Sequence, residues 1–259
     1  MKILGSIVLF LAIIVISGVG FIYFSEGATA FSTKLTEIQD NYVTEKEVNS
    51  IVIKSSSTDI EILPHSHSNI SVEFEGTVSE KLKDAFELKI SEKNGNLQVE
   101  VERKKQSSFT VFAINKGTLL TIRVPEKAFE DINVESTSGD IHLSDLSATN
   151  IALKATSGDI IGKNLIGEKA LKFETTSGDI HSARNKATDM LFNATSGDVS
   201  LDMGDITYTL DFEGTSGEGN VKVSQFQYKE KSKNRISGAT GEGELSLKVR
   251  TTSGDFSLK

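Results

Sequence analysis

A four-residue phrase, Thr-Ser-Gly-Asp, recurs through the C-terminal half of the chain and limits what that half can fold into. It occurs at Thr137–Asp140, Thr156–Asp159, Thr176–Asp179, Thr195–Asp198 and Thr252–Asp255, with a variant at Thr215–Glu218. The first five glycines, Gly139, Gly158, Gly178, Gly197 and Gly217, are separated by 19, 20, 19 and 20 residues, and Gly254 belongs to the last copy. The flanking residues keep a constant phase. Five before each Thr stand Ile132, Ile151, Leu171, Met190, Leu210 and Leu247; three before stand Val134, Leu153, Phe173, Phe192, Phe212 and Val249. The residue directly before is always small, and Ile141, Ile160, Ile180, Val199 and Phe256 come four after. Alternation puts the −5, −3 and −1 positions on one face of a strand. Each unit therefore reads as a strand, a tight Ser-Gly corner and a second strand. In this reading Gly supplies a positive φ, and Asp and Thr bond the corner amides. One such coil cannot bury its own apolar face, whereas stacked coils share a core. The fold class expected is all-β, a β-solenoid (parallel β-helix-like) of about 20-residue coils. A series of antiparallel hairpins would keep the phase but gives no reason for the constant coil length.

Other segments divide the rest of the chain. Ile3–Phe24 carries no charge and, at about 1.5 Å per residue, is long enough to span a bilayer as a helix. Lys2 precedes it and the next basic residue is Lys34, so the positive-inside rule places the N-terminus in the cytoplasm and the remainder outside. A cleaved signal peptide ending near Ala28-Thr29-Ala30 is the alternative. The domains expected are a transmembrane anchor (1–24), an extracytoplasmic tether (25–50) with a short helix at Thr33–Gln39, an irregular β region capping the solenoid (51–130), and the repeat solenoid (131–259). Within the cap, Ile51, Ile53 and Ser55 occupy repeat positions, Thr58 stands where Gly belongs, and Asp59 follows in phase. Asn94-Gly95 reads as a hairpin turn. In the fifth copy, Gly219-Asn220 reads as an insertion before Val221 and Val223.

Composition narrows the function. The net charge is −8, and the first thirty residues contribute only Lys2 and Glu26 to the balance. An acidic body without a basic patch argues against nucleic acid and against unaided binding to other polyanions. Cysteine is absent, which removes disulfides and thiol chemistry. Neither G-x-S-x-G nor H-E-x-x-H occurs, and no cofactor motif is found. The column Asp140, Asp159, Asp179, Asp198 offers calcium candidates, but it reads first as a set of corner caps. Carboxylates stacked about 4.8 Å apart repel by roughly 1 kcal/mol in water, so something must offset them. His142 and His181 share a repeat position two coils apart, about 9.6 Å, too far for one metal ion. His65 and His67 sit in a loop. The break at Gln225–Gly243 carries Lys229, Lys231, Lys233 and Arg235, together with Phe226 and Tyr228, and reads as a surface loop.

Residues 55–76 (SSSTDIEILPHSHSNISVEFEG), 94–104 (NGNLQVEVERK), 119–141 (LLTIRVPEKAFEDINVESTSGDI) and the later repeats resemble the bacterial "putative adhesin" family with β-strand repeats, which includes LiaG-like proteins. The resemblance covers roughly residue 50 to the end. It implies a solenoid-like extracytoplasmic domain linked to envelope stress in Gram-positive bacteria, and it brings no catalytic residues. The expectation is a single-pass cell-membrane protein, non-catalytic, whose partner is an envelope protein or the cell wall. The rivals are a glycan-processing enzyme on a β-helix scaffold and a structural spacer.

Overall fold

The computed structural model describes residues 34–104 and 115–259. The membrane helix expected at Ile3–Phe24 lies outside them; among the described residues no helix is long and apolar enough to cross a membrane. The strands are β1 Leu35–Thr44, β2 Ser50–Ser55, β3 Asp59–His65, β4 Ile70–Ser79, β5 Phe86–Lys93, β6 Asn96–Arg103, β7 Asn115–Pro125, β8 Ala128–Ser136, β9 Ile141–Ser144, β10 Ser147–Ala155 and β11 Ile160–Lys163. They continue as β12 Ile166–Thr175, β13 Ile180–Ala183, β14 Lys186–Ala194, β15 Val199–Asp202, β16 Tyr208–Gly214, β17 Gly219–Val221, β18 Gln227–Lys231, β19 Arg235–Ala239, β20 Leu245–Thr251 and β21 Phe256–Leu258. One 3-10 turn, Glu80–Leu82, follows β4.

Two sheets face each other across one core. Sheet A runs β1-β4-β7-β3-β9-β11-β13-β15-β21-β17, and sheet B runs β18-β19-β16-β20-β14-β12-β10-β8-β2-β6-β5. From β8 onward, each coil gives its longer strand to sheet B and its shorter strand to sheet A. Neighbouring coils pair in parallel, as the constant phase requires. Ile51, Ile132, Ile151, Leu171 and Met190 are register partners in sheet B, as are Ile141, Ile160, Ile180 and Val199 in sheet A. All of these are buried, and the Phe173 and Phe192 rings meet edge-on at 5.2 Å. Each such side chain removed from water contributes about 1.5–3 kcal/mol.

The corner works differently from the expectation. None of the six Ser-Gly glycines has a positive φ; at coil corners that conformation belongs to Asp145, Asn164 and Arg184, on the opposite side of the coil. What demands glycine is proximity. A Cβ on Gly158 would lie 2.1 Å from the Gly139 carbonyl oxygen, one on Gly178 2.0 Å from that of Gly158, and one on Gly197 1.7 Å from that of Gly178. Coils pack backbone to backbone at this edge because the inter-coil ladder continues through the corner: Thr156 N–H donates to the Ser136 carbonyl and Ser157 N–H to the Thr137 carbonyl. The first coil explains its own exception. Gly139 would meet the Thr58 carbonyl, but behind Thr58 stands β7, and there Thr58 Oγ1 meets Thr118 Oγ1 at 2.9 Å. With no tight corner behind it, Thr58 keeps its side chain. The small residue before each corner is buried, and at two corners its hydroxyl caps the glycine amide: Ser136 accepts from Gly139 at 2.9 Å and Thr175 from Gly178 at 3.1 Å.

At the N-terminal end, the segment expected to be a tether with a short helix is instead the edge strand β1, antiparallel to β4 along its whole length. Its local pattern is ambiguous, and the free edge of β4 supplies the backbone partners that decide it. Ile38 and Tyr42 pack against the core. Tyr42 of sheet A donates to Glu92 Oε2 of β5 in sheet B at 2.8 Å, joining the two sheets at this end. Residues 94 and 95 both have positive φ, as an Asn-Gly hairpin turn between β5 and β6 requires.

The C-terminal end departs from sequence order. The last coil, β20–β21, lies between the β14–β15 coil and the β16–β17 coil, pairing in parallel with both. Gly219 is no insertion. It is in register with Phe256, and its missing side chain leaves the space that Phe212 and Ile236 fill, where a Cβ would meet their carbons at 2.5 and 2.7 Å. Phe212 also stacks on Phe256 at 4.7 Å. The hairpin β18–β19 extends sheet B beyond β16 and covers this end of the core with Phe226 and Ile236.

Two outcomes follow for stability. Gly158→Ala should cost about 1–3 kcal/mol by overpacking, measured by urea unfolding, whereas Thr58→Gly should not stabilise. Burial works to raise the Glu92 carboxyl, but hydrogen bonds from Tyr42 and Thr44 and the nearby Lys46 prevail and hold it below the ordinary value of 4.5. A depressed carboxylate contributes stability that is present above about pH 4.5 and lost as pH falls through its folded value. Tyr42→Phe should therefore flatten the acid limb of a Tm-against-pH curve.

Candidate functional site

The repeat builds two ordered rows of polar groups, one along the corner edge and one across the outer face of sheet B. On the corner edge, each carboxylate accepts the backbone N–H of the acidic residue in the next coil. Asp140 N–H donates to Asp59 Oδ1 at 3.0 Å, and Asp159, Asp179 and Asp198 donate to Asp140, Asp159 and Asp179 Oδ1, each at 2.8 Å. Asp255 then donates to Asp198 Oδ1 at 2.7 Å and Glu218 to Asp255 Oδ1 at 2.8 Å. A hydrogen bond to an ionised acceptor is worth about 1.5–3 kcal/mol. That is the offset the stacked charges need, and it comes from backbone amides. Lys233 closes the row with an ion pair to Glu218 at 2.7 Å. The calcium candidates Asp140, Asp159, Asp179 and Asp198 thus stand in one line, each with one carboxylate oxygen engaged. Among the described residues, no three His, Asp or Glu side chains converge where they could hold a metal ion.

The second row lies two positions before each corner Thr, on the solvent side of sheet B. Following the strands, register partners are Lys89, Glu100, Lys54, Glu135, Lys154, Glu174, Asn193, Arg250, Glu213 and Arg235. Charge alternates along the whole series, with one neutral step at Asn193. Lys54 reaches Glu135 at 3.2 Å, Asn193 donates to Glu174 at 3.1 Å, and Arg235 reaches Glu213 at 2.6 Å. Arg250 bonds both the carbonyl and the carboxylate of Asp211. The Lys172 ion pair and the Asn193 hydrogen bond hold the Glu174 carboxyl low against the opposing effect of burial, the largest single influence on it. Near the corner edge, Lys54, Glu100, Glu102, Glu135 and Lys154 line an open groove of about 370 Å³. Sequence reasoning passed over this row, although the signal is present: the residues two before each corner read Lys54, Glu135, Lys154, Glu174.

The remaining candidates stay apart. His142 and His181 face outward on β9 and β13, with Ile161 of β11 between them in register. His65 Nε2 bonds the Asn69 carbonyl at 2.7 Å, and its ring lies 5.1 Å from that of His67. In the basic break, Lys233 and Arg235 are paired to Glu218 and Glu213. Lys231 sits over the Tyr228 ring at 4.4 Å. Phe226 is buried, and Tyr228 is 40% exposed.

This architecture defines an all-β protein of stacked, solenoid-like coils in two facing sheets. The Toastrack DUF4097 family profile matches residues 48–188 and 165–259, and the chain belongs to that family. Among solved structures, a "putative cell adhesion protein" from Clostridium sporogenes aligns over 87% of this chain and 99% of its own, with 16% identity and a TM-score of 0.51. A "putative adhesin" from Bacteroides fragilis aligns over 88% and 99%, with 15% identity and a TM-score of 0.45. A "putative lipid binding protein" from Parabacteroides distasonis aligns over 86% and 97%, with 14% identity and a TM-score of 0.37. At these identities the likeness concerns the fold alone. No curated protein matches the sequence.

If the acidic row is held by amides, Asp179→Ala should lower stability by about 1–2 kcal/mol. Asp179→Asn, which keeps an acceptor oxygen, should stay within about 0.5 kcal/mol of wild type. Thermal melts of both variants, with and without a chelator, check this.

Proposed function

We propose that this protein is a membrane-anchored, extracytoplasmic interaction module, non-catalytic, that presents the outer face of sheet B to a protein partner in the cell envelope. The alternating charge row is the observation that carries the reading. A uniform polyanion laid across it meets a carboxylate at every second strand and loses there what it gains at the lysines and arginines. A folded protein surface carries both signs and can match them, and electrostatic complementarity of this kind fixes register and suppresses wrong partners. Ion pairs such as Lys54–Glu135 and Arg235–Glu213 already orient part of the row, which lowers the side-chain ordering left to binding. The uncharged Ile3–Phe24 run supports an anchor that sets the module at the membrane surface, and the family resemblance supports an envelope-stress setting.

Crosslinking in intact cells, followed by recovery of the protein, tests the reading. The double variant Lys54→Gln, Lys154→Gln should lose its crosslinked protein partner at least five-fold while its Tm stays within a few degrees of wild type. In parallel, purified 31–259 should not sediment with bare cell walls or anionic vesicles, with calcium or with chelator. Retention on either would replace the protein partner with a polymer or lipid one.

A further inference from the structure

The coil formed by β20 and β21 is last in sequence and second to last in space. Strands β14 and β16 make no pair with each other, nor do β15 and β17; β20 and β21 stand between them in both sheets. The β16–β19 unit is therefore joined to the rest of the stack chiefly through this one coil. The slot is selective. Position 254 must be glycine, since a Cβ would lie 1.8 Å from the Gly197 carbonyl, and Gly217 lies as close to the Gly254 carbonyl, at 1.9 Å. Leu247 and Val249 must fill the core between Met190 and Phe192 on one side and Leu210 and Phe212 on the other. Asp255 accepts from Glu218 and donates to Asp198, and Arg250 bonds Asp211. A strand pair that satisfies all of these conditions carries this chain's own repeat.

The connection into the slot is short. Residues 240–244 lead from β19, cross the start of β16 and enter β20 on its far side. Gly241 and Gly243 both have positive φ there, and a Cβ on either would lie 2.6 Å from Thr207 or 2.5 Å from Thr209. The link is only five residues long, and a short hinge favours exchange of an identical element when the strand that follows it can seat in another molecule.

We infer that the β20–β21 coil exchanges between copies, so that Leu245–Leu258 of one molecule completes both sheets of a second. The same core contacts, acidic row and Arg250 bonds form whether the coil comes from the same chain or from its twin. The occupant is a second copy of this chain because the slot reads the repeat pattern on both of its sides. This inference is independent of the partner proposed for the outer face of sheet B.

The chain contains no cysteine, which allows a direct test. Leu191 and Lys248 are register partners on the outer face of sheet B, at a separation suited to a disulfide. Full-length Leu191→Cys and Lys248→Cys chains with different tags are co-expressed and oxidised. Exchange predicts a disulfide-linked heterodimer at least five-fold above that from Ala152→Cys with Lys248→Cys, a pair three coils apart. Equal yields would mean random collision and would overturn the inference. So would a mixture that stays monomeric while the double variant in one chain closes its bond internally.

Discussion

Everything in this fold depends on how closely one coil approaches the next at the Ser-Gly corner. The backbone of each corner lies directly on the backbone of the one before, with room for a hydrogen and none for a methyl group. That contact lets the inter-coil ladder pass through the bend unbroken, so that Thr156 and Ser157 remain bonded to the preceding coil. Opening the corner by one carbon would lengthen those bonds and separate the ladders of both sheets at their shared edge. The apolar columns supply most of the stabilising burial, but they tolerate variation: Met190, Leu171 and Ile151 share one column. The corner tolerates none where a coil lies behind it.

Electrostatics follows from the same spacing. A repeat that stacks identical residues would place like charges one strand apart, and the protein meets this in two ways. On the corner edge the charges are alike, and each Asp is compensated by an amide from the neighbouring coil, the terminal Glu218 by Lys233. Across sheet B the charges alternate, so each is compensated by a neighbouring side chain. The first solution depends on an acidic residue at every corner, Asp in all but Glu218, and the second requires the sequence to change sign from coil to coil. The corner edge is thereby architecture, while the sheet B face has a composition that is free to specify a partner. The interaction reading of this family member rests on that division.

Much of the fold was legible from residue spacing. The apolar phase set the strands, the parallel pairing of successive coils and the worn first coil at Ile51–Asp59. The corner glycines were also legible as obligatory, though for the wrong reason. A recurring glycine in a turn suggests a positive φ, and only the coil-to-coil distance shows that a neighbouring carbonyl is what excludes the side chain. The left-handed residues sit on the other side of the coil and include Arg184, which no turn rule would select. Strand β1 was hidden because its polar sequence has no strong period and takes its form from the free edge of β4. The charge row was visible only as a sign change at one repeat position, a signal that acquires meaning once the coils are known to be neighbours.

The sequence by itself determined the coil: its length, its two strands, its inward face and its corner are periodic properties, and periodicity is local. The tertiary structure alone decided how the coils are ordered and closed. The β16–β17 and β20–β21 coils carry the same apolar phase, so phase cannot say which lies next to β14. The order is settled by non-local contacts, in which Arg250 meets Asp211, Phe212 stacks on Phe256 in the space Gly219 leaves, and a five-residue crossover reaches one slot.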